Sequence, residues 1–276
     1  MTSNSTEALP LRPARSLLFV PADRPQRFAK AVDSGAHQVV LDLEDAVAPA
    51  AKDIARNEVS AWLAAGRRAV VRINAADTPW FADDLRLLRS LPGAELMLPK
   101  AEPEATAQAA AALQGRPLIA LLETARGLAG LEAVASTPGV VRIAFGSVDF
   151  CADTGIEDEG EALTCVRIRL VLASRLAGLA PPVDGVSVEF TDLQRMQQHA
   201  LRSRQLGFGG KLCIHPRQVS AVHAAFRPSE ADRAWAGRVL AAFEASGGAA
   251  TSVDGKMVDK PVVERARQIV AEAALA

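Results

Sequence analysis

The stretch Gln38-Val39-Val40-Leu41-Asp42-Leu43-Glu44-Asp45 decides how this chain is read. A β-branched apolar run of this length suits a buried strand and is too short for an amphipathic helix. It stops abruptly in acids. The same pattern recurs in Val71-Arg72-Ile73-Asn74, Leu98-Pro99-Lys100, Leu122-Glu123-Thr124, and Phe145-Gly146 followed by Asp149. Working outward from these, eight strand-like runs are found: Ser16 to Val20, Gln38 to Glu44, Arg68 to Asn74, Glu95 to Lys100, Pro117 to Glu123, Val140 to Gly146, Val183 to Glu189 and Lys211 to His215. Longer Ala-rich stretches with helical periodicity separate them. This alternation predicts βαβ units and a parallel sheet, and eight repeats predict closure into a (β/α)8 TIM barrel. The 276 residues suit that fold, which typically needs about 250.

Local signals agree. Pro25 and Pro49 suit first helical turns, Thr191 or Asp192 can cap a helix running to about Gly207, and Gly66, Gly115 and Gly207 stand where helices should stop. Helices are expected near Gln218 to Phe226, from Ser229 to Ala245 and from Pro261, with a turn at Gly247 and Gly248. The expected organisation is a mobile tail over 1–14, a barrel over 15–228, and a C-terminal helical extension over 229–276 that contacts a neighbouring subunit.

The hydrophobic share of 49% against 23% charged residues describes a chain able to build one large core. A net charge of −1, with acids and bases interspersed, argues against nucleic-acid or anionic-membrane partners. Cys151, Cys165 and Cys213 have neither disulfide-framework nor zinc-site spacing. No apolar run approaches the roughly 20 residues of a membrane span, and the polar N-terminus lacks the apolar centre of a signal peptide. A cytoplasmic location is expected. No GxxxxGK[ST] motif occurs, and Gly207, Gly209 and Gly210 do not follow a strand, which disfavours nucleotide hydrolysis and dinucleotide-dependent dehydrogenation.

TIM-barrel chemistry sits where strands end, so the terminal polar residues are the candidates. Alternation puts Asp42 and Glu44 on one face, and likewise Arg72 and Asn74. Several carboxylates and two cations would then share the barrel mouth, a cluster expensive to desolvate unless a divalent cation or ligand carboxylate completes it. All-oxygen ligation favours Mg²⁺. Simpler roles stay open at this level. Asp42 and Asp45 can serve as caps or partners for Lys52 and Arg56, Arg72 can be a structural partner of Asp42 or Glu44, and His215 is read as structural.

In order along the chain, Arg15 to Pro21, Asp42 to Val47, Val71 to Asn74, Glu123-Thr124, Phe145-Gly146 with Asp149, and Lys211 to Pro216 resemble the motifs of citrate lyase β-subunits and their stand-alone relatives in the HpcH/HpaI aldolase superfamily. The resemblance spans roughly residues 15 to 265. It implies a TIM barrel with Mg²⁺ held by Glu123 and Asp149, substrate bound through Arg72 and Glu123, and Glu44 and Asp45 supporting the metal's water shell. Val253-Asp254-Gly255-Lys256-Met257-Val258-Asp259 is similar to a motif of malyl-CoA and citramalyl-CoA lyases, whose last aspartate is lent to a neighbouring subunit for proton exchange. That implies catalytic roles for Arg72 and Asp259 in a homotrimer or a multiple of it; Asp259 can also cap the helix that follows. Pro21-Ala22 replaces the Pro-Gly of many relatives. The implied activity is cleavage of a citryl-, malyl- or citramalyl-type CoA thioester to a 2-oxo acid and acetyl-CoA or a similar thioester, with or without subsequent thioester hydrolysis. The alternatives are a class II aldolase acting on free hydroxy-keto acids and a ligand-binding subunit of an acyl-carrier-dependent citrate lyase complex.

Overall fold

The computed structural model describes residues 14–91, 93–157 and 160–274. The tail expected over 1–14 therefore lies, Ala14 apart, outside the described residues. Eight parallel strands close in sequence order into a barrel: β1 (Ser16–Pro21), β2 (Gln38–Asp42), β3 (Ala69–Arg72), β4 (Ala94–Leu98), β5 (Leu118–Leu122), β6 (Val140–Phe145), β7 (Val183–Asp184) and β8 (Gly210–Cys213), with β8 paired back to β1. The intervening helices are α1 (Phe28–Asp33), α2 (Lys52–Ala64), α3 (Phe81–Arg89), α4 (Pro103–Ala112), α5 (Ala125–Ala129), α6 (Leu131–Ser136), α7 (Ser147–Thr154), α8 (Thr164–Leu176) and α9 (Leu193–Gln205). The expected barrel is the barrel found.

Strand alternation sorts the side chains into two layers. Leu17, Val40, Val70, Met97, Ile119, Leu121, Ala144, Val183 and Leu212 draw on all eight strands and pack together as the barrel interior. Their outward neighbours Leu122, Ile143 and Phe145 pack instead with Leu131 of α6, Phe150 of α7, and Val166 and Leu170 of α8. Positions two residues beyond an interior residue face inward at the carboxyl end, which places Asp42 after Val40, Arg72 after Val70 and Glu123 after Leu121. Gly66, Gly115 and Gly207 take positive φ (78°, 78° and 100°) after helices, as helix-stop glycines do.

β7 departs from expectation. It ends at Asp184 rather than near Glu189 because the following backbone bonds elsewhere. Lys211 donates to Gly185 O at 2.6 Å, and the Gln218 amide donates to Ser187 O at 2.8 Å and Glu189 O at 3.3 Å. Asp192 provides the cap of α9, accepting from Arg195 N at 2.9 Å. His215 accepts from Arg217 N at 3.2 Å and stacks on Phe190, in keeping with a structural role.

After β8 comes α10 (Arg217–Phe226), within which the chain divides into two compact units, up to Val222 and from His223. The sequence placed that boundary at 228. In the second unit, α11 (Glu230–Ala245) begins with a capping box between Ser229 and Asp232. An antiparallel hairpin, β9 (Thr251–Val253) and β10 (Lys256–Val258), and α12 (Lys260–Ala274) follow. Asp254 and Gly255 turn the hairpin with φ of 52° and 73°, the two positive values a type I′ turn needs. Ala236, Val239, Val258, Val263 and Ile269 form this unit's own core. Among the described residues no helix is long and apolar enough to cross a membrane.

Outside the barrel wall, Asp184 ties four elements together. It accepts from Arg167 Nε of α8 at 2.9 Å and from Ser203 of α9, with Lys211 Nζ 3.8 Å away. Burial opposes ionisation of this carboxyl, but Lys211 and Arg167 overcome it and hold the pKa below the ordinary 3.8. Its stabilisation is therefore fully present above pH 3.8 and lost as pH falls through the lower native value. Asp184→Asn, which removes the negative charge facing Arg167 and Lys211, is expected to cost about 3–5 kcal/mol at pH 7 in denaturant unfolding. The gap to wild type should narrow as the pH is taken below about 4.

Candidate active site

Asp42 and Arg72 are direct neighbours in the register between β2 and β3. Both face the barrel interior, and the guanidinium engages the carboxylate in a two-pronged pair: Nε to Oδ1 at 2.7 Å and Nη2 to Oδ2 at 2.6 Å. The third nitrogen, Nη1, lies 2.9 Å from Glu44 Oε2 and 3.8 Å from Asp45 Oδ2. The guanidinium also lies over the Phe19 ring, 4.9 Å from its centroid. Burial works against the Arg72 charge; Asp42 and Glu44 override it and raise the pKa. Asp42 accepts from Glu44 N at 2.9 Å as well, so the first acid of the decisive stretch is an internal partner. Asn74 is not part of this set. Its amide donates to Asp84 of α3 at 2.6 Å, and Arg56 holds the other oxygen of that carboxylate at 2.9 Å.

The loop bearing Glu44 and Asp45 is clamped by a residue for which the sequence suggested only an ion pair. Lys52 of α2 is buried, and its Nζ donates to Leu43 O at 2.6 Å and Glu44 O at 2.7 Å beneath the Trp80 ring. A lysine three residues past Pro49 carries no sequence mark of this role.

Glu123 follows β5 and is almost fully buried. Its Oε1 accepts from Lys100 N at 2.8 Å, while Oε2 is buried with no hydrogen-bond partner. Gly146 packs against this carboxylate so closely that a Cβ there would overlap it. A buried carboxylate oxygen left without a donor is costly. Asp149, in the first turn of α7, is the neighbouring acid whose charge bears on Glu123. Burial pushes Glu123 up to about 7, with Arg72 opposing and Asp149 adding to the rise. Burial also raises Asp149, reinforced by Asp45 and opposed by Arg72 and Lys100. Burial pushes Glu44 up to about 9, with Arg72 only partly offsetting it. The Glu44 contact with Arg72 lacks hydrogen-bond alignment, which leaves its Oε2 unsatisfied too. An unpartnered oxygen on Glu123, a second acid beside it and a surplus of negative charge fit a hard divalent cation bound through oxygens. Among the described residues no group of three or more His, Cys, Asp and Glu side chains is arranged to hold a metal. Asp259 lies in the second unit, where it caps α12, accepting from Val262 N at 3.4 Å.

A profile described as HpcH/HpaI aldolase/citrate lyase matches residues 15–216. The chain belongs to this family. It is 39% identical over 263 residues to a citrate lyase subunit beta-like protein of Mycobacterium tuberculosis, covering 93% of this chain and 94% of the relative. It is 34% identical over 271 residues to a (3S)-malyl-CoA thioesterase of Cereibacter sphaeroides, with 95% of each chain covered. It is also 34% identical over 319 residues to an L-malyl-CoA/beta-methylmalyl-CoA lyase of Rhodobacter capsulatus, covering 100% of this chain and 99% of the relative. The crystal structure of the protein CitE from Mycobacterium tuberculosis in complex with magnesium, acetoacetate and coenzyme A superposes with a TM-score of 0.84 at 37% identity, covering 96% of this chain and all of that one. The resemblance read in the six motifs is thus a family membership.

The raised Glu44 has a thermodynamic consequence. Native Glu44 keeps its proton to about 9, whereas the unfolded chain releases it near 4.5, so its contribution to stability falls as pH rises between the two. In metal-free protein, Glu44→Gln is expected to raise stability by roughly 1–3 kcal/mol at pH 8, and by less at pH 5. Thermal unfolding in chelator at both pH values checks this; equal shifts would remove the assigned cause.

Proposed function

We propose that this protein is a Mg²⁺-dependent carbon–carbon lyase that cleaves a 3-hydroxy carboxyacyl-CoA thioester of the malyl, citramalyl or citryl type to a 2-oxo acid and acetyl-CoA or a similar thioester. The observation that carries this reading is the unpartnered, buried Oε2 of Glu123 beside Asp149 in the mouth of a barrel of this family. Glu123 and Asp149 would hold the metal. Bound there, Mg²⁺ supplies Lewis-acid polarisation of substrate oxygens.

The chain's own groups account for the rest. In the cleavage, the hydroxyl proton is lost, the carbon–carbon bond breaks with its electron pair passing to the thioester enolate, and the enolate carbon takes up a proton. Arg72, aimed by Asp42, offsets the charge that grows on oxygen. Glu44 and Asp45, held on the Lys52 clamp, support the metal's water shell. Asp259 of a neighbouring copy delivers the proton to carbon, which makes a homotrimer or its multiple the working form, with residues 229–276 supplying the contact. A cytoplasmic location belongs to the same reading. Similarity to the malyl-CoA thioesterase favours, as a second reading, hydrolysis of the thioester alongside cleavage.

The test incubates purified protein with malyl-, citramalyl- and citryl-CoA, with Mg²⁺ or with chelator, and follows 2-oxo acid and free thiol separately. Oxo acid is expected only with metal. Glu123→Gln should lower kcat/KM by about 100-fold or more, and Asp259→Asn should lower kcat by at least about 10-fold. Free thiol in addition assigns a hydrolytic step. If no thioester is consumed, the aldolase acting on free hydroxy-keto acids or the carrier-dependent subunit replaces this reading.

A further inference from the structure

Lys100 stands two residues beyond the carboxyl end of β4 with a backbone φ of 44°, in the left-handed region. A residue with a Cβ is strained there, and glycine is not. The conformation has one evident return, since it delivers Lys100 N to Glu123 Oε1 at 2.8 Å. A glycine would serve that purpose equally well, so the backbone explains the shape of the turn and leaves the lysine side chain unexplained.

The charges of the mouth supply the explanation. Two cations act on Asp149, Arg72 and Lys100. Two nitrogens of the Arg72 guanidinium are hydrogen-bonded to Asp42, and the third lies in ion-pair contact with Glu44. The Lys100 side chain is exposed, and its ammonium has no hydrogen-bond or ion-pair partner among the described residues. An incoming carboxylate must approach Glu44, Asp45, Glu123 and Asp149, and Arg72 meets it already paired. A free cation at the rim of that acidic set, fixed through its own backbone to Glu123, is the group placed to receive it.

We propose that Lys100 is a substrate-binding residue whose ammonium receives the carboxylate of the oxo-acid half of the substrate, while its backbone N–H holds Glu123. The assignment rests on the proposed reading of the site as one that binds a carboxylated ligand. It divides one residue into two separable parts: backbone for the metal-binding acid, side chain for the ligand.

Lys100→Gly separates them, because glycine accepts the left-handed conformation, keeps the N–H and removes only the cation. Calorimetric titrations with MgCl2 alone, with oxaloacetate in the presence of MgCl2, and with free CoA are made on the full chain as wild type, Lys100→Gly and Lys100→Arg. Lys100→Gly is expected to hold Mg²⁺ and CoA within about 3-fold of wild type while binding oxaloacetate about 10-fold or more weakly, the range of a charge-assisted hydrogen bond. Lys100→Arg should recover part of that loss. Oxaloacetate affinity within about 2-fold of wild type in Lys100→Gly overturns the proposal, as does a parallel loss of Mg²⁺ affinity, which would place the whole role in the backbone. A wild-type protein that binds no oxaloacetate overturns it as well. One that binds oxaloacetate through Lys100 but cleaves no thioester sinks the lyase reading and leaves this assignment standing.

Discussion

The site is organised around the paired hydrogen bonds from Arg72 to Asp42. A guanidinium this deeply buried is tolerable only with its charge matched and its donors satisfied, and adjacent strands supply the match: the two residues are register partners, each two positions beyond an interior valine. Asp42 takes two nitrogens and leaves a third for Glu44. The field of Arg72 then reaches Glu123 and Asp149 and keeps burial from raising those acids further. Lys52 completes the arrangement from outside the barrel by gripping the carbonyls of Leu43 and Glu44. Removing the Arg72 charge would leave the interior with acids that water cannot reach.

Two buried ionic networks in this protein have opposite balances, and the contrast separates architecture from function. Around Asp184 one carboxylate is served by Arg167, Lys211 and Ser203, and its pKa is depressed. Every oxygen of that acid has a partner, as expected of a group whose task is to join helices to the barrel wall. In the mouth the balance runs the other way. Glu44, Glu123 and Asp149 are all raised by burial, and two of them have an oxygen with no donor. Such an unsatisfied acidic set costs stability in the protein alone and favours a cation that supplies the missing charge. Gly146 marks the same place sterically, because only a residue without a Cβ lets β6 pass so near Glu123.

Much of this was legible in the sequence because it is carried by local grammar. Short apolar runs ending in polar residues located the eight strands, the pair Thr191 and Asp192 and the residue Ser229 located two helix starts, with Asp192 the cap found for the first, and Gly66, Gly115 and Gly207 the stops. The Asp254-Gly255 pair is a hairpin signal of equal strength, and its reading as part of a family motif concealed the turn it makes. The apolar pattern of β7 continues to Val188 and overstates the strand's length, because the backbone after Asp184 is claimed by Gln218 and Lys211, which are distant in sequence. Alternation places Asn74 in the mouth, but it lies two residues past the end of β3, and Asp84 claims both its backbone N–H and its side-chain amide.

The sequence by itself determined the barrel, its family and the acids and arginine at the strand ends, because strand period, helix caps and motif order are written in neighbouring residues. Which of those polar groups are spent on each other was decided only by tertiary structure. Asp42 and Asp45 look alike in the string Asp42-Leu43-Glu44-Asp45, yet one is buried and fully engaged while the other is largely open to solvent. Closure of the barrel brings β2, β3, β5 and β6 to one mouth, and the partnering of charges across that space depends on distance and desolvation, neither of which is a property of adjacent residues.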